Sequence, residues 1–190
     1  MTQQAAATTA PTITNGVDVT ALFETIKAIK NNNEIAKFQF RAKNQWIDAG
    51  HNRSEIKEFY GACEEDQTRS EPFVLDSGEP PILLGNDSGA NPVEYVLHAL
   101  AGCMTTTMVY HAASRGIRIE GVRSELEGDI DIRGFLGLSK DVRKGYQTVR
   151  VKMYVKSEAS PEQLAELAKY SPVYDIVSKS LPVQVTIEKS

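Results

Sequence analysis

The sequence has little of several features that would mark a specialised class of protein. It contains two cysteines, Cys63 and Cys103, among 190 residues, which is too few for a disulfide-bonded scaffold. No run approaches the roughly 18 apolar residues of a membrane-spanning helix. The first residues have neither the basic start nor the apolar run of a signal peptide. We therefore expect a cytoplasmic protein whose thiols stay reduced unless they are catalytic or sensing.

Strong charge and metal-binding patterns are also missing. The net charge is -4 and the isoelectric point is near 5.5, so electrostatics would not attract nucleic acid or an anionic membrane surface. His98 and His111 lie 13 residues apart, which is not a metal-ligand spacing, and His51 falls in a predicted turn. There is no phosphate loop and no dinucleotide fingerprint. We expect no metal, no cofactor, no nucleic-acid partner and no membrane partner.

The length suits one folded domain with an extension before it. Residues 1–15 are small and polar and predict a disordered tail. Residues 16–33 predict a helical extension, in which Asp18 caps an amphipathic helix. Residues 34–190 contain the patterns of a folded domain. Alternation of apolar and polar side chains predicts most of its strands, which are Ile35–Trp46, Arg53–Phe59, Phe73–Leu75, Ile82–Leu84, Val122–Ile132, Val149–Val155 and Val183–Ile187.

One helix of this domain is apolar nearly all round. Asn91 is placed to cap it, Pro92 takes its first position, and Gly116 ends it. A helix with this pattern is buried in a core. Ser160 begins a capping box for a later helix, which stops before Pro172. Strands before and after one core helix predict an α+β fold, with a charged loop at Glu64–Ser70.

Cys103 lies in the middle of the predicted core helix. It is about three turns from the helix start, so the helix dipole would do little to activate it. The residues three and four positions away are Ala99, Leu100, Thr106 and Thr107, and none is a cation. From this segment alone, a buried thiol that packs without reacting is the default interpretation.

A wider pattern favours a reactive thiol. Residues Gly89–Cys103 closely resemble the core helix of the OsmC/Ohr family, the osmotically inducible and organic hydroperoxide resistance proteins. Phe73–Asp76 and the following Leu84-Gly85 resemble that family's lead-in, and Ser171-Pro-Val stands where the family usually has Cys-Pro-Val. The resemblance spans roughly Ile35 to Glu188, so residues 34–190 are predicted to form an OsmC-like domain.

The resemblance implies antiparallel sheets around a central buried helix in an intertwined homodimer, with two equivalent sites at the interface. Family members with two cysteines reduce organic hydroperoxides through a sulfenic acid and a disulfide, which a dithiol then reduces. An arginine and a glutamate hold the first cysteine as a thiolate. Cys103 matches that cysteine and Glu94 matches the glutamate. Arg53 is the first candidate for the arginine, and Arg41 is the second.

Helix geometry limits how Glu94 could act. Nine residues separate it from Cys103, which corresponds to about 13.5 Å along a straight helix and about half a turn around it. A contact therefore needs a second chain or a bend, which Gly102 would ease. Glu94 could instead simply complement the helix N-terminus, and Arg53 could be a solvated strand or turn residue.

Ser171 is the main departure from the family pattern, because a serine cannot form a disulfide. Cys63 is the other thiol of the chain, and its default interpretation is a spectator. The leading hypothesis is a one-cysteine organic hydroperoxide reductase that is recycled by an external thiol. The alternatives are a non-catalytic protein that binds a small apolar ligand on the same dimeric fold, and a redox sensor.

Overall fold

The computed structural model describes residues 11–179 of the chain. The chain divides into two compact units, Met1–Tyr95 and Val96–Ser190. The strand predicted at Val183–Ile187 lies outside the described residues.

The N-terminal extension contains a small hairpin and a helix. Strand β1 (Ile13–Thr14) pairs with β2 (Val17–Asp18), and α1 follows at Val19–Asn31. The Asp18 carboxylate accepts a hydrogen bond from the Ala21 amide at 3.0 Å, which confirms the predicted cap. The predicted disordered tail, residues 1–15, is corrected at its end, because Ile13–Thr14 is a paired strand.

Two three-stranded antiparallel sheets complete the strands of the first unit. Their strands are β3 Gln39–Phe40, β4 Lys43–Asp48, β5 His51–Ile56, β6 Phe59–Gly61, β7 Glu64–Asp66 and β8 Phe73–Ser77. The order is β3-β6-β7 in one sheet and β4-β5-β8 in the other. The predicted strand Ile35–Trp46 is thus broken, since its start belongs to a 3₁₀ helix, Asn33–Ala36.

Two further predictions in this unit were wrong. The charged segment Glu64–Ser70 was predicted as a loop, but its first three residues form β7 at the edge of a sheet. The predicted strand Ile82–Leu84 is instead mostly a 3₁₀ turn, Pro81–Leu83. The Pro80 carbonyl accepts hydrogen bonds from the amides of Leu83 and Gly85, which closes the turn.

Helix α2 (Pro92–Ala113) is the longest described helix and carries the predicted cap. The Asn91 side chain accepts a hydrogen bond from the Val93 amide at 3.0 Å. Past the other end, Gly116 takes a left-handed φ of 68°, as a terminating glycine does. The buried residues of α2 follow one stripe, Leu100, Met104, Met108, Ala112 and Ala113. Within residues 11–179, the expected burial all round α2 is therefore not observed.

The second unit is built on one long antiparallel pair. Strand β9 (Ile119–Asp129) pairs with β10 (Thr148–Ser157), as the alternation predicts. The predicted end of the first strand is corrected, because α3 occupies Ile132–Phe135. Helix α4 (Pro161–Ala168) begins with the predicted capping box, and α5 (Pro172–Ser178) follows it.

The core of the second unit lies where α2, α4 and the inner face of the pair meet. Its buried members are Leu100, Met104, Met108, Ala112, Leu164, Leu167 and Ala168. The inward side chains of β9 and β10, such as Leu126 and Val151, pack against this cluster. Helices and antiparallel sheets together confirm the α+β class. Across residues 11–179, no helix has the length and apolar character needed to cross a membrane.

Candidate functional site

Cys103 is a free, half-buried thiol in the middle of α2. It lies one position before Met104, which belongs to the buried stripe of the helix. Cys103 itself is not among the residues that pack on the core of the second unit. Within the described part of the chain its sulfur has no hydrogen-bond partner. The thiol is therefore placed beside the core rather than inside it.

The helix surface beside Cys103 is open. A Cβ atom added at the neighbouring Gly102 would meet no atom within 4 Å, and Gly102 is exposed. Glycine in a helix interior costs about 1 kcal/mol relative to alanine, and no described residue fills the space that it leaves. The surface of α2 at Gly102, next to Cys103 in sequence, therefore has room for another group.

Glu94 takes part in the start of α2. Its Oε2 atom accepts a hydrogen bond from the Asn91 amide at 2.9 Å, while the Asn91 side chain accepts one from Val93. This reciprocal pair caps the helix start in the manner of a capping box, except that the Asn91 side chain takes the amide of the second helical residue and not of the third. Helix α2 is continuous from Pro92 to Ala113, so no bend brings Glu94 toward Cys103. The local role of Glu94 is thus to cap the helix that carries the thiol.

Arg53 lies on β5, directly opposite Asp76 of β8. Its Nε atom donates to Asp76 Oδ1 at 2.9 Å and its Nη2 atom donates to Oδ2 at 3.1 Å. His51, two residues earlier on the same face of β5, places Nε2 at 2.9 Å from Asp76 Oδ1. The structure therefore joins Arg53 with Asp76 and His51 in the first unit, whereas Cys103 belongs to the second.

This cluster has a defined electrostatic character. The hydrogen bond from Arg53, and then that from His51, lower the pKa of the Asp76 carboxyl below its usual value. The same carboxylate raises the pKa of Arg53. Because the Arg53 side chain is still 47% exposed, the guanidinium can reach solvent while one edge is held by Asp76.

The backbone around Asp76 is held on two sides. The Tyr95 hydroxyl donates to the Asp76 carbonyl oxygen at 2.8 Å. Gly89 lies so close that a Cβ atom there would be 2.1 Å from the same oxygen, so only glycine fits at this approach. The loop before α2 therefore fixes the carboxylate that orients Arg53.

Sequence reasoning missed the role of Asp76 and placed His51 in a turn, although His51 begins β5. The signal that could have found Asp76 is the register of β5 against β8, which pairs positions 23 residues apart in sequence. Arg41, the second arginine candidate, binds Glu65 through two hydrogen bonds of 2.7 and 2.8 Å. Hydrogen bonding to Glu65 raises the pKa of Arg41, and its side chain is 44% exposed.

Ser171 has a structural role. It is 1% exposed, and its Oγ atom accepts a hydrogen bond from the Tyr174 amide at 3.1 Å, which caps α5. Cys63 is exposed at the turn between β6 and β7 and is also a free thiol. Its φ is 70°, a left-handed value that is uncommon for residues other than glycine.

His111, the second of the two histidines on α2, lies against an aromatic ring. His111 stacks on Tyr170 with ring centroids 4.5 Å apart and lies beside Arg115. Burial, and then the charge of Arg115, lower the pKa of His111. Residues 11–179 contain no group of three or more His, Cys, Asp or Glu side chains that could hold a metal ion.

Comparison with known proteins identifies the second half of the chain. The family model described as OsmC-like protein matches residues 85–188, which is more than half of the sequence and includes Glu94, Cys103 and Ser171. No curated protein sequence matches this chain.

Solved structures show the same fold. The chain is similar to an OsmC like protein from Mycoplasma pneumoniae at 14% identity and a TM-score of 0.55, over 75% of this chain and 89% of that one. It is also similar to an OsmC-like protein of unknown function from Vibrio cholerae at 12% identity and a TM-score of 0.53, over 72% and 92% of the two chains. On the family match, supported by this common fold, the chain belongs to the OsmC-like protein family.

Proposed function

We propose that the protein is a homodimeric, one-cysteine organic hydroperoxide reductase in which Cys103 is the nucleophile. The observation that carries the proposal is the free, half-buried Cys103 on α2, in the segment that matches the OsmC-like family. A thiol inside a packed core would be inert, whereas this one is half-buried and does not pack on the described core of the second unit.

The chemistry needs one thiol on the protein and two outside it. The Cys103 thiolate attacks one oxygen of the hydroperoxide, so an S–O bond forms and the O–O bond breaks. The leaving alkoxide takes a proton and departs as the alcohol, and Cys103 becomes a sulfenic acid. One thiol of a dithiol condenses with the sulfenic acid and releases water. The second thiol then breaks the mixed disulfide and restores Cys103.

A second copy of the chain supports this site in the proposal. Among residues 11–95 the one buried apolar side chain is Val17, whereas Phe40, Trp46 and Phe73 are 71%, 68% and 61% exposed. Exposed apolar surface of this kind commonly marks an interface. We assign its cover to the partner protomer, in the intertwined arrangement that the family resemblance implies.

Within the dimer, Arg53 and Glu94 are assigned to the Cys103 site. The Arg53 guanidinium is half exposed and held by Asp76 at one edge, so it can present its free edge to a thiolate and lower the thiol pKa. Glu94 uses one carboxylate oxygen to accept from the Asn91 amide and keeps the other for the arginine. Since α2 is continuous between Glu94 and Cys103, each site would combine Cys103 of one protomer with groups of its partner.

A second candidate function is ligand binding or redox sensing without turnover. It is favoured by Ser171, which occupies the family's usual second-cysteine position, is 1% exposed and serves as a helix cap. A protein without a second thiol at that position can be oxidised once and stay oxidised. Repeated turnover separates the two candidates.

The test is the steady-state consumption of cumene hydroperoxide with dithiothreitol as the reductant. We expect many turnovers per Cys103 in the wild type and a loss of at least about a hundredfold in Cys103→Ser, because the nucleophile is removed. Cys63→Ser is the matched control and should keep the wild-type rate. Equal background rates for wild type and Cys103→Ser would overturn the enzyme, and one oxidation per chain without further turnover would favour the sensor.

A further inference from the structure

Every methionine after Met1 lines the same cavity. The chain has four methionines, and Met104, Met108 and Met153 all lie in the wall of a cavity of about 590 Å³ in the second unit. The first two come from α2 and the third from β10, so two different elements direct thioethers to one space. Cys103 is not among the residues that line this cavity.

The size and walls of the cavity suit a small molecule. Its volume of about 590 Å³ falls within the range of about 300–1,000 Å³ that small-molecule pockets occupy. Val151, Val155 and Leu164 complete an apolar wall. Methionine side chains are flexible and polarizable, and they adapt to ligands of different shapes. The wall is therefore suited to an apolar body rather than to one rigid polar ligand.

The polar side chains at the cavity are largely engaged. Ser157 Oγ donates to the Arg118 carbonyl at 2.6 Å and accepts from the Ala159 amide at 3.3 Å. The Lys169 ammonium is paired with the Glu166 carboxylate, so it brings no uncompensated charge. Tyr174 also lines the cavity, and its hydroxyl has no hydrogen-bond partner within residues 11–179. Among the described residues, the cavity thus offers one hydroxyl without a partner, that of Tyr174, and no free charge.

A neighbouring cavity provides an internal contrast. It has a volume of about 610 Å³ and shares Val151 and Tyr174 with the first. Its wall includes Arg143, Gln147 and Thr148 and contains no methionine. Two spaces of nearly equal size therefore differ in chemistry, and the methionines are confined to the less polar one.

We infer that the cavity lined by Met104, Met108 and Met153 is a binding site for an uncharged, mainly apolar small molecule with one hydrogen-bonding group, such as a medium-chain alcohol. The apolar body lies against the thioethers and aliphatic side chains, and the polar group bonds to the Tyr174 hydroxyl. The site is separate from Cys103 and does not depend on its chemistry.

The test uses the full chain and the fluorescent probe 1-aminoanthracene, which is displaced by 1-octanol or by octanoate. We expect saturable probe binding, displacement by 1-octanol, and affinity for octanoate that is weaker by at least about tenfold, because a carboxylate would be buried without a partner. Tyr174→Phe should weaken 1-octanol binding by about fivefold through the lost hydrogen bond. No saturable binding, or octanoate binding as tightly as 1-octanol, would overturn the inference.

Two exposed positions of α4 give a matched pair of variants. Ala165 lines the cavity and Glu162 does not. Ala165→Trp should fill the space and weaken the probe by at least about tenfold, whereas Glu162→Trp should change affinity by less than about twofold. Cys103→Ser should bind like the wild type. Loss of probe binding in Cys103→Ser, or equal binding by both tryptophan variants, would place the ligand elsewhere.

A second readout needs no variant, so it holds even if Ala165→Trp does not fold. Wild-type protein is treated with hydrogen peroxide, with and without saturating 1-octanol, and sulfoxide formation at each methionine is followed by peptide mass spectrometry. We expect 1-octanol to slow oxidation of Met153, which is half-buried, by at least about threefold, because the ligand covers its thioether. Met104 and Met108 are 8% and 1% exposed, and we expect them to oxidise slowly with or without the ligand. An unchanged rate at Met153 would contradict the site.

Discussion

The two units of the chain are stabilised in different ways. The second unit has a core in which Leu100, Met108 and Leu167 are 2%, 1% and 6% exposed. The described residues of the first unit bury one apolar side chain, Val17, and are held mainly by strand pairing. Its aromatic cluster of Phe38, Phe40 and Phe59 stacks at centroid distances of 5.4 to 6.3 Å, yet Phe40 is 71% exposed.

This contrast shows what holds each part of the proposed site in position. Cys103 lies on a helix that is anchored in the core of the second unit. Arg53 is oriented by a surface ion pair in the first unit, and exposed ion pairs contribute little to stability. The thiol is therefore held by packing, whereas the arginine is held by hydrogen bonds that a variant can remove.

The largest effect is expected in the core of the second unit. Leu167→Ala removes a buried side chain of α4 and should lower the free energy of unfolding by about 2–5 kcal/mol. Leu138, which is 71% exposed in the same unit, is the control, and Leu138→Ala should stay within about 0.5 kcal/mol. Urea unfolding measures both. If Leu167→Ala lowered the free energy of unfolding no more than Leu138→Ala does, the second unit would not be stabilised by the core described above.

The next effect concerns the exposed aromatics of the first unit. If a partner protomer covers them, Phe40→Glu should weaken dimer formation by at least about tenfold, which is about 1.4 kcal/mol. Sedimentation equilibrium measures it, since the dimer has twice the mass of the 20.9 kDa chain. Leu138→Glu is the control in the second unit. If the wild-type protein is a monomer, the proposal that a partner protomer covers these aromatic side chains is wrong.

A smaller effect is expected at the cap of α5. Ser171→Ala removes the acceptor for the Tyr174 amide and should cost about 1 kcal/mol, in the range for helix caps. Ser160→Ala removes the comparable cap of α4 and serves as a reference. Thermal unfolding of the two variants compares them. If the stability of Ser171→Ala equalled that of the wild type, this buried serine would not stabilise the helix.

Each unit contains its own exposed ion pairs. The smallest effect on stability is expected when one of these pairs is removed. Arginine lowers the pKa of Asp76 in the first unit and of Asp129 in the second. A lowered folded-state pKa gives stability that is complete above the ordinary value, near 3.9, and is lost as the pH falls through the lowered value. Asp76→Asn and Asp129→Asn should therefore be slightly less stable than wild type at pH 7, with the difference closing below about pH 4. Urea unfolding at pH 7 and pH 3 measures this, and a difference that widens at pH 3 would contradict the assignment.

Local patterns predicted the helices and the long strands well. The caps at Asp18, Asn91 and Ser160 were confirmed by hydrogen bonds, because each of these caps joins residues only two or three positions apart. Strands β9 and β10 followed from alternation, since each has one face on the core and one face in solvent.

Three features of the first unit were not predicted: a turn, an edge strand and a partnership between two strands. The apolar residues at Ile82–Leu84 resemble a strand, but Pro80 and Pro81 begin a 3₁₀ turn instead. Glu64–Asp66 is charged enough to suggest a loop, yet it pairs with β6 at a sheet edge. The partnership of Arg53 with Asp76 depends on the register of β5 and β8, which single-sequence periodicity does not determine. Cys103 could be proposed from sequence because its motif is local.

The most direct test of the central proposal is chemical trapping of the oxidised thiol. The protein is treated with one equivalent of cumene hydroperoxide in the presence of dimedone, which reacts with sulfenic acids, and the labelled peptides are identified by mass spectrometry. We predict dimedone on Cys103 and none on Cys63, because Cys103 is the proposed nucleophile. Label on Cys63 with none on Cys103, or no label on either cysteine, would contradict the proposal.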